Sequence, residues 1–167
     1  MGKFRNLITL KDPEPGNEQN GFGGSVAIHN GYAVVGNDLG KSPDTGSVHI
    51  FKKSGMGFSY LQTLAAPEGE DGDYFGDSVA IHDGYIVVGA RGDDVPYDEE
   101  GSVYVYHLDG GKFRNPQKLE SPDKETDGQF GFSVAIHDGR VVVGQPYNQS
   151  IGGSSKQGSA YIFSYGY

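Results

Sequence analysis

Apolar and polar residues alternate along this chain in short runs, and the runs are bounded by clusters of Gly, Asn, Asp and Ser. Val26-Ala27-Ile28, Ala33-Val34-Val35, Val48-His49-Ile50-Phe51 and Phe58-Ser59-Tyr60-Leu61-Gln62-Thr63-Leu64 are too short for amphipathic helices. They are rich in the β-branched and aromatic side chains that suit a pleated surface. No long stretch spaces its apolar residues as a helix would. The pattern therefore predicts an all-β chain of short strands joined by turns.

The same pattern occurs three times. Phe22-Gly23-Gly24-Ser25-Val26-Ala27-Ile28-His29 returns as Phe75-Gly76-Asp77-Ser78-Val79-Ala80-Ile81-His82 and as Phe130-Gly131-Phe132-Ser133-Val134-Ala135-Ile136-His137. The leading phenylalanines stand 53 and 55 residues apart, a period that belongs to repeat architectures. Each copy continues into a second apolar run ending in Val-Val-Gly and, after a polar loop, into a third (46–51, 101–106, 158–163). Phe58–Leu64 and Phe113–Leu119 supply a fourth strand, and Phe4–Leu10 reads as another copy of that element.

Four antiparallel strands per unit describe a propeller blade, so the chain is expected to hold three blades: 22–74, 75–129 and 130–167. Propellers have about four to eight blades. Three are therefore expected to be half of a ring closed by oligomerisation, as a homodimer with six blades or, second, a homotrimer with nine. In this reading the strand 4–10 of a neighbouring chain completes the third blade by strand exchange. Phe4, Leu7, Ile8 and Leu10 would meet Tyr161 and Phe163 there.

The first two strands of each unit are joined by Asn30-Gly31, Asp83-Gly84 or Asp138-Gly139. Such pairs tolerate positive φ at both centres of a type I′ turn, which makes Gly31, Gly84 and Gly139 structural. The loops between second and third strands (37–45, 90–100, 145–157) differ in length and sequence.

Phe-Gly-x-Ser-Val-Ala, followed by Val87-Val88-Gly89-Ala90 and by Gly101-Ser102-Val103-Tyr104-Val105-Tyr106, resembles the FG-GAP repeat of integrin α-chain β-propellers and their bacterial relatives. The resemblance covers nearly the whole chain. It implies a propeller with a loop face for protein or carbohydrate ligands, and an extracellular or periplasmic setting. Many members of that family hold Ca²⁺ on an Asp-x-Asp-x-Asp-Gly loop between the first and second strands. Here a two-residue turn stands in that place, too short to offer the ~6 to 8 oxygens the ion takes.

A net charge of -9 disfavours a nucleic-acid partner, because phosphate neutralisation needs clustered Lys and Arg. No apolar run approaches the ~20 residues of a spanning helix, so membrane insertion is not expected. The first residues do not read as a secretory signal, which implies an intracellular chain or a removed leader. Without Cys there are no disulfides and no thiolate chemistry.

The acidic residues gather in the loops before each Phe-Gly and in the variable loops, with Lys52, Lys53, Lys112, Arg114 and Lys118 expected on outer strands or near the opposite face. Glu70, Asp71 and Asp73, with Asp93, Asp94 and Asp98, are candidate Ca²⁺ ligands. His29, His82 and His137 occupy equivalent places, where a ring would set imidazoles about an axis as for a transition metal. Arg91-Gly92-Asp93 is an integrin-type recognition tripeptide on a loop expected to be exposed, and Asn148-Gln149-Ser150 is a glycosylation acceptor pattern. There is no nucleophile elbow, phosphate loop or His-Glu-x-x-His pattern, so no enzyme, catalytic residue or cofactor is expected. The functional expectation is a self-assembling, non-enzymatic propeller module. An engineered or excised fragment whose only property is self-assembly, and a divalent-cation-binding adhesion module, are the alternatives.

Overall fold

A computed structural model describes residues 7–14, 21–39, 45–94, 99–124, 126–147 and 157–166. Phe4, Asp98 and Asn148-Gln149-Ser150 lie outside them. Among the described residues there are eleven strands and no helix. They form three antiparallel sheets.

The first sheet runs β1 (Val26–His29), β2 (Tyr32–Asn37), β3 (Ser47–Ser54), β4 (Gly57–Leu64) in sequence order. The second repeats that order with β5 (Phe75–His82), β6 (Tyr85–Ala90), β7 (Ser102–Asp109) and β8 (Lys112–Glu120). The third has β9 (Ser133–His137), β10 (Arg140–Gln145) and β11 (Ser159–Ser164). Each is a meander, and each first hairpin turns through a positive-φ pair: Asn30 and Gly31 at 44° and 79°, Asp83 and Gly84 at 42° and 81°, Asp138 and Gly139 at 45° and 67°. Those angles are the type I′ arrangement, whose twist matches that of the strands it joins. The third and fourth strands of both complete sheets slip register at matching places, between Ile50 and Phe51 and between Val105 and His107.

The core lies between the sheets. Val34, Val48, Ile50 and Leu64 of the first face Phe75, Ile81, Ile86, Val88, Tyr104 and Tyr106 of the second. Val87 and Val103, on the other side of the second sheet, face Phe130, Val141 and Val143 of the third. β6 is thus covered by a sheet on both faces, and β2 by the second sheet on one face and by Leu10, Phe22 and Phe58 on the other, so both are continuously buried apolar runs. β10 has the same type of sequence, yet its burial alternates because one face has no neighbour among the described residues. Phe75 and Phe130 are wholly buried at the two junctions, each contributing about 1.5–3 kcal/mol of transfer free energy.

On the far face of the first sheet, Ala33, Val35 and Phe51 form a small cluster with Leu10, Phe22 and Phe58. Leu10 occupies there the place that Leu64 and Leu119 take at the two junctions. Residues 7–10 carry no strand ladder, and Leu7 projects into solvent. An outer strand needs the third strand of its own sheet to pair with, and none precedes it among the described residues.

Candidate functional site

The repeated signature residues meet where one sheet touches the next. The Ser25 hydroxyl donates to the Gly76 carbonyl at 2.6 Å, and the Ser78 hydroxyl to the Gly131 carbonyl at 2.7 Å. Both carbonyls sit over a glycine of the preceding sheet, Gly36 or Gly89, where an added Cβ would overlap the carbonyl oxygen. Beside them the Phe75 amide donates to the Thr45 carbonyl (3.1 Å), and the Phe130 amide to the Glu100 carbonyl (2.7 Å). Gly46 and Gly101 are bare for the same reason, because a side chain on either would strike the backbone of that phenylalanine. The Phe-Gly of one sheet therefore plugs into a notch formed by Ser, the Val-Val-Gly glycine and the Gly before the third strand. On the outer side, the Gln62 side-chain amide exchanges two hydrogen bonds with the Phe113 backbone (3.0 and 2.9 Å).

Among the described residues, each half of this junction is also present without its counterpart. In the third sheet Ser133, Gly144, Gly158 and Ser159 line an open notch of about 490 Å³. The atoms nearest a Cβ on Gly144 all belong to Ser133 of its own sheet, the first being the rotatable Oγ, and none is a carbonyl of another sheet. Val142 and Ile162 lie exposed beside it. At the opposite end Gly23 has φ 97° and nothing within 4 Å of a built Cβ, and Val26 and Ile28 are each 69 % exposed. Their equivalents Val79 and Ile81 are packed inside a junction. Of the residues expected to close a ring, Leu10 reaches the small cluster on the first sheet, while Leu7 and Ile8 are exposed. Tyr161 and Phe163 turn inward onto Phe130, at ring separations of 5.7 and 6.0 Å.

The acidic loops are less open than their sequence implies. Asp93 is buried, accepts a hydrogen bond from the Tyr104 hydroxyl at 2.8 Å and pairs with Lys118 at 2.9 Å. Lys118 stands on the outer strand β8, as expected, and from there its side chain reaches the acidic loops. Arg91 lies over the Tyr74 ring and pairs with Asp77 at 3.0 Å. The tripeptide Arg91-Gly92-Asp93 is accordingly folded inward rather than displayed: a built Cβ on Gly92 overlaps the Gly72 carbonyl. Asp73 is also buried and accepts the Glu70 amide at 2.7 Å, and burial pushes its carboxyl up, aided by Asp93. Asp94 accepts the Glu99 amide at 2.7 Å. Glu70 and Asp71 are exposed. Backbone and lysine partners thus engage Asp73, Asp93 and Asp94.

Two buried groups were not singled out by the sequence. Glu100 is fully buried with Lys124 3.5 Å away, and burial raises its carboxyl. His49, equally buried, is hydrogen-bonded to Thr63 (3.0 Å) and Ser47 (3.3 Å), and burial lowers its imidazole against the pull of Asp12 and Glu14. The apolar residues on either side of His49 gave no sign of this. Its polar partners come from β3 and β4.

The three equivalent histidines form a row. Ring centroids of His29 and His82 are 4.5 Å apart, and those of His82 and His137 4.6 Å. Each ends the first strand of its sheet, and stacking of β1, β5 and β9 brings them together. Asp83 sits between the first two, 3.0 Å from His29 Nε2 and 3.6 Å from His82 Nδ1. The family's calcium loop has no counterpart here, because Asn30-Gly31, Asp83-Gly84 and Asp138-Gly139 leave at most one carboxylate per turn. The residues present do not fit that ion.

A family model for the FG-GAP repeat matches residues 12–51, 58–106 and 113–163. No curated protein matches the chain. Among solved structures, the crystal structure of the computationally designed Ika4 protein is similar over 98 % of this chain and 100 % of that one, with 13 % identity and a TM-score of 0.38. The three family matches fall in consecutive regions and together cover most of the sequence, so the chain belongs to the FG-GAP repeat family.

Proposed function

We propose that this chain is a non-enzymatic propeller module that associates with copies of itself, two chains making one six-bladed ring. The observation that carries the reading is the pair of half-junctions. The open notch at Ser133 and Gly144 has the make-up of the notches that take Phe75-Gly76 and Phe130-Gly131, and Phe22-Gly23 is a third plug of the same sequence. Apolar residues flank both halves, and contiguous apolar patches of this kind mark interaction surfaces. Under two-fold symmetry each chain offers one plug and one notch, so every half-junction is used once. Gln117, the counterpart of Gln62, would then bond the backbone of a fourth strand that a partner's residues 4–10 supply. The loops between second and third strands, with those before each Phe-Gly, form the face such a ring would offer to a protein or carbohydrate ligand.

Light scattering of the full chain is expected to give about twice the 17.9 kDa chain mass. Deleting residues 1–10 should give a monomer or aggregate, and Gly144→Val, which fills the notch, should give a folded monomer. A compact, soluble monomer of the unaltered chain would overturn the reading. Three times the chain mass would select a nine-bladed trimer instead.

A further inference from the structure

We propose that His29, His82 and Asp83 bind a divalent transition-metal ion of the Zn²⁺ type at the junction of the first two sheets. The three side chains offer one ligand atom each, all within 4.8 Å of one another. Two imidazole nitrogens and one carboxylate form a borderline donor set. It suits Zn²⁺, Co²⁺ or Ni²⁺ and is a poor match for Ca²⁺ or Mg²⁺, which take oxygen ligands. Zn–N and Zn–O bonds of about 2.0–2.2 Å place two ligands on a tetrahedral ion about 3.3 Å apart. His29 Nε2 and Asp83 Oδ1 are at 3.0 Å and His82 Nδ1 and Asp83 Oδ2 at 3.6 Å, so side-chain rotation closes the remaining distance.

The backbone holds this arrangement rather than chance rotamers. His29 and His82 end the inner strands of two stacked sheets, and the stacking fixes their separation. Asp83 occupies the first centre of a type I′ turn at φ 42°, from which its carboxylate reaches back to the preceding sheet. The next junction repeats the geometry with His82, His137 and Asp138. That group shares His82 and is more open, since the His137 side chain is 77 % exposed against 31 % for His29 and 15 % for His82. The first junction is therefore where a single ion is assigned, with the remaining coordination positions left to water. All its ligands belong to one chain, so the site does not depend on association between copies.

The test is calorimetric titration of the full chain with ZnCl₂ after EDTA treatment and dialysis, with thermal melts in the presence and absence of Zn²⁺. One ion per chain is expected to bind in the micromolar range and to raise the melting temperature. His29→Gln, His82→Gln and Asp83→Asn should each weaken binding at least tenfold, and circular dichroism should show that each remains folded. His107→Gln, outside the row, and His137→Gln should bind as the unaltered chain does. Absence of Zn²⁺ binding, binding that survives both His29→Gln and Asp83→Asn, or Ca²⁺ binding as tight as Zn²⁺ would each overturn the assignment.

Discussion

β6 and β10 are equivalent strands that share Val-Val-Gly, Tyr85-Ile86-Val87-Val88-Gly89-Ala90 against Arg140-Val141-Val142-Val143-Gly144-Gln145, yet they live in different surroundings. Ile86, Val87 and Val88 are all fully buried, whereas Val142 between two buried neighbours is 39 % exposed. The difference lies in what stands beside each strand. β6 has a sheet on each face, β2 has a sheet on one face and Leu10, Phe22 and Phe58 on the other, and β10 has a sheet on one face alone among the described residues, so the same type of apolar run is buried or exposed according to what packs on it.

The sharpest way to break that comparison is to put a methyl group on equivalent glycines. At Gly89 it meets the Gly131 carbonyl of the next sheet, and at Gly144 the nearest atoms are those of Ser133 of its own sheet. Gly89→Ala should lose about 3 kcal/mol or prevent folding, while Gly144→Ala should stay within about 0.5 kcal/mol in urea unfolding of dissociated chains. Equal losses would mean that Gly89 is not a junction residue.

Truncating equivalent isoleucines comes next. Ile81 is packed between the first and second sheets and Ile28 is 69 % exposed, so Ile81→Ala should cost about 2–4 kcal/mol and Ile28→Ala less than about 1. At concentrations where copies associate, Ile28→Ala should instead shift the association equilibrium, as read by light scattering. A smaller contrast is expected between Ser78→Ala, which removes the hydroxyl bonded to Gly131, and Ser133→Ala. The first should cost about 1 kcal/mol and the second close to nothing.

The subtlest test is pH. Burial lowers the folded pKa of His49, so below its ordinary value of about 6.5 the unfolded chain takes up a proton that the folded chain does not. Stability linked to His49 is therefore present above about pH 6.5 and lost as pH falls toward the folded pKa. His49→Gln should flatten that part of the stability profile in chemical unfolding at stepped pH. An unchanged slope would place the proton uptake elsewhere. Asp73, Asp77 and Glu100 run the other way, since their raised carboxyls gain stability on acidification, and the wild-type-minus-variant difference removes their contribution.

Strand order and the tight turns were readable in the chain because they depend on local chemistry: period-2 apolar runs and Asn-Gly or Asp-Gly pairs act over a few residues. The purpose of Ser25, Ser78, Gly36 and Gly89 was not readable, though all were visible as repeated letters. Their partners, Gly76 and Gly131, lie far along the chain on another sheet, and only the stacking brings a carbonyl over each glycine. The acidic loops were read too generously for a similar reason. Charge counting cannot show that Asp93 would be drawn inside by Tyr104 and Lys118, or that Arg91 would settle on Tyr74. The histidine row was legible as an equivalence and not as a distance.

The Phe-Gly plug and the Ser, Val-Val-Gly and Gly notch have the same residues at each occurrence, so one backbone joint serves every junction while the side chains around it differ. A sequence of this kind can lengthen or shorten by whole units through duplication or deletion of genetic material while keeping that joint at each remaining junction. Loop positions that touch the next unit, such as Glu100 against Phe130, are held by that contact, and the exposed loop positions away from it are the ones open to change. The number of blades becomes a variable that inheritance can change in one step, while the chemistry that joins them stays fixed.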